Sequence, residues 1–265
     1  MSGGPLQPGE RVVLVDRKGR KYTIRLAAGA EFHTHTGRVG HDVLIGRNDG
    51  ATVVGTGGTR YVVVRPTLSD AVVGMPRGAQ VIYPKDLGAI VIGADIRSGC
   101  RVLEAGVGSG ALSMTMVSVG AYVIGYEIRE DFAQRARHNV EAFCGEGADF
   151  RVEIRDVYEG IECGAGAQFD RVVLDLPEPW RVVAHAEAAL VPGGLLASYL
   201  PTINQVWELR SALEHSSFGL VETVEVLHRT WHIEGRSVRP DHRMVAHTGF
   251  ITTARLVGAE RAGTE

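Results

Sequence analysis

One short stretch decides the fold class of this chain: VLEAGVGSGALS, residues 102–113. Its first residues are an apolar run typical of a buried strand, and its last residues begin a helical pattern. Gly106, Gly108 and Gly110 lie between the two, where glycine lets the backbone approach a ligand closely. The spacing is GxGxG instead of the GxGxxG of dinucleotide-binding folds, and no Lys-Ser or Lys-Thr pair follows as in a P-loop. The stretch therefore predicts a strand, a ligand-binding loop and a helix, and argues against a nicotinamide site.

From Pro84 onward, apolar strand-like runs alternate with helical patterns. The strand-like runs are RVLEAGV, AYVIGYEI, FRVEIRD, FDRVVLDLP and GGLLASYLP. This alternation predicts an α/β fold with a doubly wound, mostly parallel sheet that helices cover on both faces. The last two strand-like runs, residues 221–234 and 244–257, have no helix between them. We therefore expect an antiparallel addition at one edge of the sheet.

The first part of the chain has a different pattern, with short strand-like runs separated by glycine-rich turns. The runs RVVLVD (11–16) and KYTIRL (21–26) flank the turn RKGR and predict a β-hairpin. The pattern becomes helical at residues 67–75, where Ser69 or Asp70 is the expected cap. We therefore predict a small all-β domain over residues 1–66 and an α/β domain over residues 67–265.

The charge is unevenly distributed along the chain. Residues 1–97 hold 13 Lys and Arg against 8 Asp and Glu, whereas residues 98–265 hold 15 against 23, for a net charge of −3 overall. Five cations surround the predicted hairpin: Arg17, Lys18, Arg20, Lys21 and Arg25. This asymmetry indicates a first region that is able to meet a polyanion, but on charge alone a solvated basic face is the slightly better interpretation.

Composition also limits the location of the protein and its metal chemistry. No run of eighteen apolar residues and no signal-peptide pattern is present, so we expect a cytoplasmic protein without a membrane partner. Cys100, Cys144 and Cys163 are widely spaced, and His33 and His35 have no further ligands at suitable spacing. No metal site is predicted.

Acidic residues follow the ends of successive predicted strands. They are Glu104, Glu127, Asp156 and Asp175. Ligands bind at the carboxyl ends of the strands in open α/β sheets, where a carboxylate can accept both hydroxyls of a ribose or an adenine amino group. A single acid of this kind is more often a helix N-cap or a surface residue. Four such acidic residues at the ends of successive strands, together with a glycine loop, predict a binding site.

This combination resembles the class I S-adenosylmethionine-dependent methyltransferases. Their cofactor carries a sulfonium and an amino group and no phosphate, so a pocket rich in carboxylates suits it electrostatically. The resemblance implies a mostly parallel seven-stranded sheet with one inserted antiparallel strand, and S-adenosylmethionine as the cofactor. In amino-methylating members, the fourth strand ends in Asp or Asn followed by proline and an aromatic residue. The segment DLPEPW, which begins at Asp175, resembles that motif, and its prolines restrict the backbone that carries the aspartate.

Several segments together resemble one family within this class, the bacterial and archaeal tRNA (adenine-58-N1)-methyltransferases. They are PRGAQVIYPKDLGAIV (76–91), VLEAGVGSGALS, DLPEPW and HTGF (247–250). The resemblance extends over most of the chain, and the AGVGSGAL variant together with an excess of arginine is similar to actinobacterial members. It implies a homotetramer that methylates N1 of a T-loop adenosine in tRNA, with residues 1–66 serving in tRNA binding or assembly.

The resemblance also implies roles for individual residues. Asp175 would accept a hydrogen bond from the adenine amino group and Tyr83 would contact the base, so these two are the expected catalytic residues. Substrate contacts are expected from Tyr83, His247 and the hairpin cations Arg17, Lys18, Arg20 and Lys21. The cofactor residues are expected to be Glu104, Ala105, Gly106, Val107, Gly108, Ser109, Gly110, Glu127, Asp156 and Asp175.

Two other functions stay open. The chain could methylate another RNA base or an amine, or it could be a non-catalytic tRNA-binding subunit, in which the cofactor acids would be lost. The glycine loop and the acids are intact, which favours a catalytic chain.

The role of the late arginines also stays open. They either bind RNA phosphate or are exposed residues on a sheet edge. They are Arg229, Arg236, Arg239 and Arg243.

Overall fold

The computed structural model describes residues 4–78, 80–163 and 168–257. The chain divides into two compact units, the first extending to Gly74 and the second beginning at Met75. The predicted boundary after residue 66 precedes the first helix, which belongs to the first unit. In the described part of the chain, no helix has the length and apolar character needed to cross a membrane.

The first unit is built from short antiparallel strands. They are β1 (Arg11–Asp16), β2 (Lys21–Arg25), β3 (Glu31–Thr34), β4 (Gly37–Gly40), β5 (Thr52–Val54) and β6 (Arg60–Val64), followed by helix α1 (Leu68–Gly74). Four of the strands form a sheet in the order β2-β1-β6-β5, and β3 and β4 form a separate hairpin. The predicted β1–β2 hairpin is confirmed. The core of the first unit contains four fully buried side chains: Leu14, Leu26, Leu44 and Val63. Burial of each leucine side chain contributes roughly 1.5–3 kcal/mol to the free energy of folding.

Helix α1 begins with a reciprocal pair of hydrogen bonds. The Thr67 hydroxyl accepts from the backbone N–H of Asp70 at 3.2 Å, and the Asp70 carboxylate accepts from the backbone N–H of Thr67 at 3.1 Å. This is a capping-box arrangement. The capping hydroxyl therefore belongs to Thr67, and Asp70 is its partner inside the first turn instead of the cap.

The second unit contains the larger sheet. Its strands are β7 (Arg101–Ala105), β8 (Tyr122–Glu127), β9 (Phe150–Ile154), β10 (Phe169–Leu174), β11 (Leu190–Leu200), β12 (Phe218–Glu225), β13 (Trp231–Glu234), β14 (Ser237–Pro240) and β15 (Phe250–Leu256). Its helices are α2 (Pro84–Gly93), α3 (Ala111–Ser118), α4 (Glu130–Cys144), α5 (Val183–Ala189) and α6 (Ile203–Glu214). Seven strands form one sheet in the order β12-β15-β11-β10-β7-β8-β9.

The sheet confirms the predicted doubly wound, mostly parallel architecture. Strands β7 to β11 are parallel neighbours, and β15 runs antiparallel between β11 and β12. The order reverses between β7 and β10, so their carboxyl ends form the topological switch point where ligands bind in such sheets. The predicted single run over residues 221–234 is wrong: β12 ends at Glu225, and the last residues of the run form β13, which pairs with β14 in a small hairpin between β12 and β15.

Candidate active site

The loop after β7 brings three glycines with left-handed backbone to the switch point. Gly106, Gly108 and Gly110 have φ of +85°, +55° and +84°. A Cβ atom on Gly106 would overlap the backbone carbonyl of Asp175, and one on Gly110 would lie 3.0 Å from Cα of Ala136 in α4. A Cβ atom on Gly108 would lie 4.0 Å from the nearest atom that it faces. Gly106 and Gly110 are therefore needed for chain packing, whereas Gly108 leaves room for a ligand.

A small pocket adjoins this loop. It is lined by Gln80, Val81, Ile82, Glu104, Gly106, Val107, Gly108, Ser109, Ala111, Leu112 and Asp175. The pocket thus combines most of the predicted loop residues with two of the four predicted acids. The remaining wall comes from Ala111 and Leu112 at the start of α3 and from residues 80–82, which precede Tyr83 and α2.

Glu104 lies at the bottom of the site with only 1% of its surface exposed. The Ser113 hydroxyl, at the start of α3, donates a 2.5 Å hydrogen bond to its carboxyl group. Burial raises the pKa of Glu104 to about 8, and the negative charges of Asp175 and Glu127 add to the shift. A buried carboxyl group of this kind favours a cationic ligand, because a positive charge would stabilise its ionised form.

Asp175 follows β10 directly and is partly buried. Its backbone N–H donates to the carbonyl of Ala105 at 2.9 Å, which keeps it beside the glycine loop. Burial raises the pKa of its carboxyl group to about 7. The site therefore holds two carboxyl groups with raised pKa values. Groups with shifted pKa values are concentrated at functional sites.

The proline-rich segment after Asp175 is held from two sides. The Tyr158 hydroxyl accepts from the backbone N–H of Glu178 at 3.3 Å, and the Gln205 side-chain amide donates to the carbonyl of Pro177 at 3.0 Å. Tyr158 also lies under the Arg181 guanidinium, 4.1 Å from it. Together with the prolines, these contacts restrict the loop that carries Asp175.

The other two predicted acids lie at the ends of the next strands. Glu127 ends β8, and its carboxylate accepts from the backbone N–H groups of Gly108 at 2.9 Å and Arg129 at 3.0 Å. Asp156 follows β9 and accepts from the backbone N–H of Tyr158 at 2.9 Å, so it caps the short 3-10 helix Val157–Glu159. Each carboxylate retains lone pairs for a ligand, since one carboxylate offers about four acceptor positions.

Tyr83 and His247 lie at the ends of different elements. Tyr83 is the N-cap residue of α2, and 38% of its surface is exposed. His247 is exposed, and its ring nitrogens contact the Glu225 carboxylate at 2.7 Å and the Pro201 carbonyl at 2.8 Å. Because both partners are acceptors, they favour the doubly protonated ring and raise the pKa of His247. His247 therefore ties the ends of β11 and β12 together.

In the first unit, the five predicted hairpin cations are exposed. Arg20 pairs with Asp16 at 2.6 Å, and Lys21 pairs with Asp70 at 2.6 Å. Within the described residues, the side chains of Arg17 and Lys18 have no ion-pair partner. These two cations are the most available for a polyanion.

Sequence reasoning missed several residues that shape the site. Asn139 is buried in α4, and its amide donates to the carbonyls of Ser109 at 2.9 Å and Pro76 at 3.0 Å. It therefore joins the glycine loop to the segment before Tyr83. A polar amide on the apolar face of an amphipathic helix is a signal that could reveal it. Ser113, Tyr158 and Gln205 carry no comparable signal.

The strand order, the single antiparallel strand and the glycine loop at the switch point define a class I methyltransferase. The family described as tRNA methyltransferase complex GCD14 subunit matches residues 60–241, and the TrmI-like N-terminal family matches residues 4–53. The chain belongs to this GCD14/TrmI family of tRNA methyltransferases.

Curated relatives agree with this assignment. The tRNA (adenine(58)-N(1))-methyltransferase TrmI of Thermus thermophilus is 39% identical over 248 residues, which cover 92% of this chain and 96% of the relative. The tRNA (adenine(57)-N(1)/adenine(58)-N(1))-methyltransferase TrmI of Methanocaldococcus jannaschii is 34% identical, over 92% of this chain and 94% of its own length.

Solved structures are similar along almost the whole chain. A tRNA (m1A58) methyltransferase TrmI from Aquifex aeolicus superposes with a TM-score of 0.86 at 30% identity, and the match covers 96% of this chain and 100% of that one. A SAM-dependent O-methyltransferase from Thermotoga maritima gives a TM-score of 0.91 at 30% identity, with 97% of both chains covered. The predicted fold class and family are confirmed.

Proposed function

We propose that this protein transfers the methyl group of S-adenosylmethionine to N1 of adenosine 58 in tRNA. The observation that carries the proposal is one pocket lined by both the glycine loop and Asp175. A methyl donor and an acceptor base have to meet at such a point, because methyl transfer requires the two in line and in contact. The names of the Thermus thermophilus and Aquifex aeolicus relatives support the choice of acceptor.

The residues at the switch point fit the proposed cofactor. S-adenosylmethionine, when bound, supplies a methyl group on a positively charged sulfur. Gly108 leaves open space for the methionine end, and Glu104 offers a carboxyl group whose pKa burial raises to about 8. Glu127 and Asp156, at the ends of the next strands, would accept the ribose hydroxyls and the adenine amino group. The remaining loop residues, Ala105, Val107 and Ser109, would line this site beside them.

Asp175 and Tyr83 would position the acceptor base. Asp175 would accept a hydrogen bond from the exocyclic amino group of adenine and offset the positive charge that develops on the ring as N1 is methylated. Tyr83, partly exposed before α2, would contact the face of the base. An adenine within folded RNA has to leave its stack to reach such a pocket, and aromatic contacts favour that exposed state.

Further contacts with tRNA would come from the first unit and from His247. Arg17 and Lys18 are exposed cations without an ion-pair partner in the described residues, and Arg20 and Lys21 lie next to them in sequence. We also propose a homotetramer acting in the cytoplasm, because the family resemblance implies that assembly. Native mass spectrometry of the purified chain tests the assembly directly.

The test of the function is a methylation assay on a defined substrate. Purified protein is incubated with unmodified tRNA transcript and radiolabelled S-adenosylmethionine, and the modified nucleoside and its position are identified after digestion. The expected product is 1-methyladenosine at position 58, and a transcript with guanosine at that position is the control. Label on a ribose hydroxyl, on another base, or absent despite cofactor binding would contradict the proposal.

A further inference from the structure

The ammonium group of Lys85 lies at a junction of three oxygen acceptors. It donates to the carboxylate of Asp86 at 2.8 Å, the carbonyl of Val226 at 2.7 Å and the hydroxyl of Thr248 at 2.6 Å. The Thr248 hydroxyl in turn donates to the other oxygen of the Asp86 carboxylate at 2.7 Å. An ammonium group has three donors, so these contacts satisfy Lys85 completely.

The junction is shielded from water. Asp86 is fully buried, and the Lys85 side chain is 10% exposed. Removal of one partner from a buried ion pair leaves the other charge uncompensated, which makes the arrangement sensitive to single substitutions. Tyr199 adds a weak contact to Asp86, with its hydroxyl 3.5 Å from the carboxylate.

The two distant partners of Lys85 flank one segment, residues 227–247, which we call the hairpin excursion. Val226 precedes it and Thr248 follows it, and it contains the hairpin of β13 and β14. Strand β12 ends at Glu225, which pairs with Phe250 of β15, and Phe250 pairs with Leu200 at the end of β11. The excursion therefore leaves the sheet at its carboxyl edge, the same edge that carries Asp175.

The hairpin excursion has few stabilising contacts other than those at its two ends, which we call its base. None of residues 227–247 is buried. The segment includes the four late arginines, three of them exposed and one partly exposed: Arg229, Arg236, Arg239 and Arg243. A segment with few buried contacts opens locally at low free-energy cost, unless its ends are fixed. Two sets of contacts at the base therefore fix its orientation: those of Val226 and Thr248 with Lys85, and those of His247 with Glu225 and Pro201.

Lys85 also belongs to the first turn of α2, the helix that Tyr83 caps. The junction thus joins both ends of the hairpin excursion to the turn that presents Tyr83. Since only Pro84 separates Tyr83 from Lys85, a shift at the junction would move the tyrosine and the excursion relative to each other.

We propose that Lys85 is a positioning residue for the tRNA substrate, which fixes the hairpin excursion against the start of α2 through Asp86 and Thr248. The proposal rests on the proposed function, because it assumes that Tyr83 and the arginines of the excursion face tRNA. It assigns to the Lys and Asp of the YPKD segment, and to the Thr of HTGF, a shared role that acts through geometry and not through contact with the reacting atoms.

The test compares four variants with the wild-type protein: Thr248→Val, Thr248→Ser, Thr223→Val and Lys85→Met. Thr248→Val keeps the shape of the side chain and removes both of its hydrogen bonds at the junction, whereas Thr248→Ser retains the hydroxyl. Thr223→Val is the matched control, because it removes a threonine hydroxyl that bonds Thr252 at 2.9 Å in the same strand pair without touching Lys85. Three quantities are measured: tryptic cleavage after Arg229, Arg236 and Arg243, kcat/KM for tRNA, and the Kd for S-adenosylmethionine. Arg239 is not a tryptic site, because Pro240 follows it.

Thr248→Val is expected to accelerate cleavage within residues 229–243 by about tenfold or more, because proteolysis follows the population of the locally open state. It is expected to lower kcat/KM for tRNA by a similar factor while the cofactor Kd changes by less than about threefold. Thr248→Ser and Thr223→Val should both stay near wild type. Lys85→Met, read in the same three assays, should reproduce the pattern of Thr248→Val.

Unchanged cleavage and unchanged tRNA kinetics in Thr248→Val would overturn the proposal. An equal loss of cofactor affinity would also overturn it, since the junction would then support the cofactor pocket instead of the substrate side. Failure of the proposed function gives a different result, because wild-type protein would then leave tRNA unmethylated. In that case the cleavage rates alone decide whether Lys85 fixes the excursion.

Discussion

The backbone carbonyl of Asp175 occupies the space that a Cβ atom on residue 106 would need. The glycine loop and the segment that carries the proposed acceptor residue are therefore in direct contact. A hydrogen bond from the backbone N–H of Asp175 to Ala105 at 2.9 Å adds to this contact. A change in either loop is transmitted to the other, so the cofactor and acceptor parts of the site form one unit.

Gly106→Ala should therefore damage both parts of the site. Its φ of +85° alone costs a non-glycine residue about 1–2 kcal/mol, and the overlap with the Asp175 carbonyl adds to that cost. We expect the free energy of unfolding to fall by roughly 2 kcal/mol or more and cofactor binding to be lost, as measured by denaturant unfolding and calorimetry. Gly88→Ala is the control: its Cβ would meet no atom within 4 Å, and alanine is favoured there by about 1 kcal/mol. A fully stable Gly106→Ala protein that binds cofactor normally would contradict the prediction.

Glu104 should make cofactor binding depend on pH. Its pKa is about 8 in the folded protein against an ordinary value of 4.5, so the folded state holds a proton that the unfolded chain has released. The resulting stabilisation is complete below about pH 4.5 and is lost as the pH rises to about 8. A cationic ligand favours the ionised carboxylate, so its binding should release a proton and strengthen as the pH rises towards 8. Glu104→Gln should remove most of this dependence, which calorimetry in buffers of different ionisation enthalpy measures; an unchanged proton release would show that another group titrates.

Asp175 should dominate the pH dependence of turnover. Burial raises the pKa of its carboxyl group to about 7, so the ionised form that accepts a hydrogen bond predominates only above neutrality. We expect kcat/KM for tRNA to rise with a midpoint near pH 7 in the wild-type protein. Asp175→Ala should lose about 100-fold or more in kcat/KM, whereas Asp175→Asn keeps an acceptor oxygen, loses less and shows no midpoint near pH 7. Full turnover by Asp175→Ala with normal cofactor binding would exclude the role assigned to this residue.

Tyr158 should affect turnover by positioning the loop after Asp175. Tyr158→Phe removes the hydroxyl that accepts from the Glu178 N–H at 3.3 Å and keeps the ring beside Arg181. One hydrogen bond is worth about 1 kcal/mol, so kcat should fall about fivefold while the cofactor Kd changes little. Tyr126→Phe is a matched control, because its hydroxyl accepts from the Glu162 N–H at 3.3 Å, away from this loop. Equal kinetic effects of the two variants would argue against a specific role for Tyr158.

Arg17 and Lys18 should contribute to tRNA affinity through phosphate contacts. Each contact to a phosphate adds about 0.7–0.9 to the slope of log K against log salt concentration. The double variant Arg17→Ala, Lys18→Ala should therefore reduce that slope by about 1–2 in filter-binding experiments. Lys21→Ala should reduce it less, because the Lys21 ammonium already pairs with Asp70 at 2.6 Å. No change in slope for the double variant would place the tRNA elsewhere.

Local sequence patterns were sufficient for most of the fold. The β1–β2 hairpin, the parallel strands and the start of α2 at Pro84 were predicted because alternation, helical period and proline each act over a few residues. The position of β15 between β11 and β12 did not follow from local patterns, since strand order depends on contacts between distant segments; only the family resemblance implied an inserted antiparallel strand. The β13–β14 hairpin was missed because residues 221–234 carry one continuous strand-like pattern, and none of the hairpin residues is buried in a way that would mark the break after Glu225.

The candidate site also combines features that local sequence patterns predict with features that depend on contacts between distant segments. The sequence alone determined the glycines and the carboxylates at the strand ends, because left-handed backbone and strand termini leave local signals at residues such as Gly106 and Glu127. Tertiary structure decided that Asp156 also serves as a cap and that Glu104 is buried enough to hold a proton. It also decided that Lys85 meets Thr248. Burial and hydrogen-bond partners are set by segments far apart in the chain, and a single sequence contains no local record of which of them will meet.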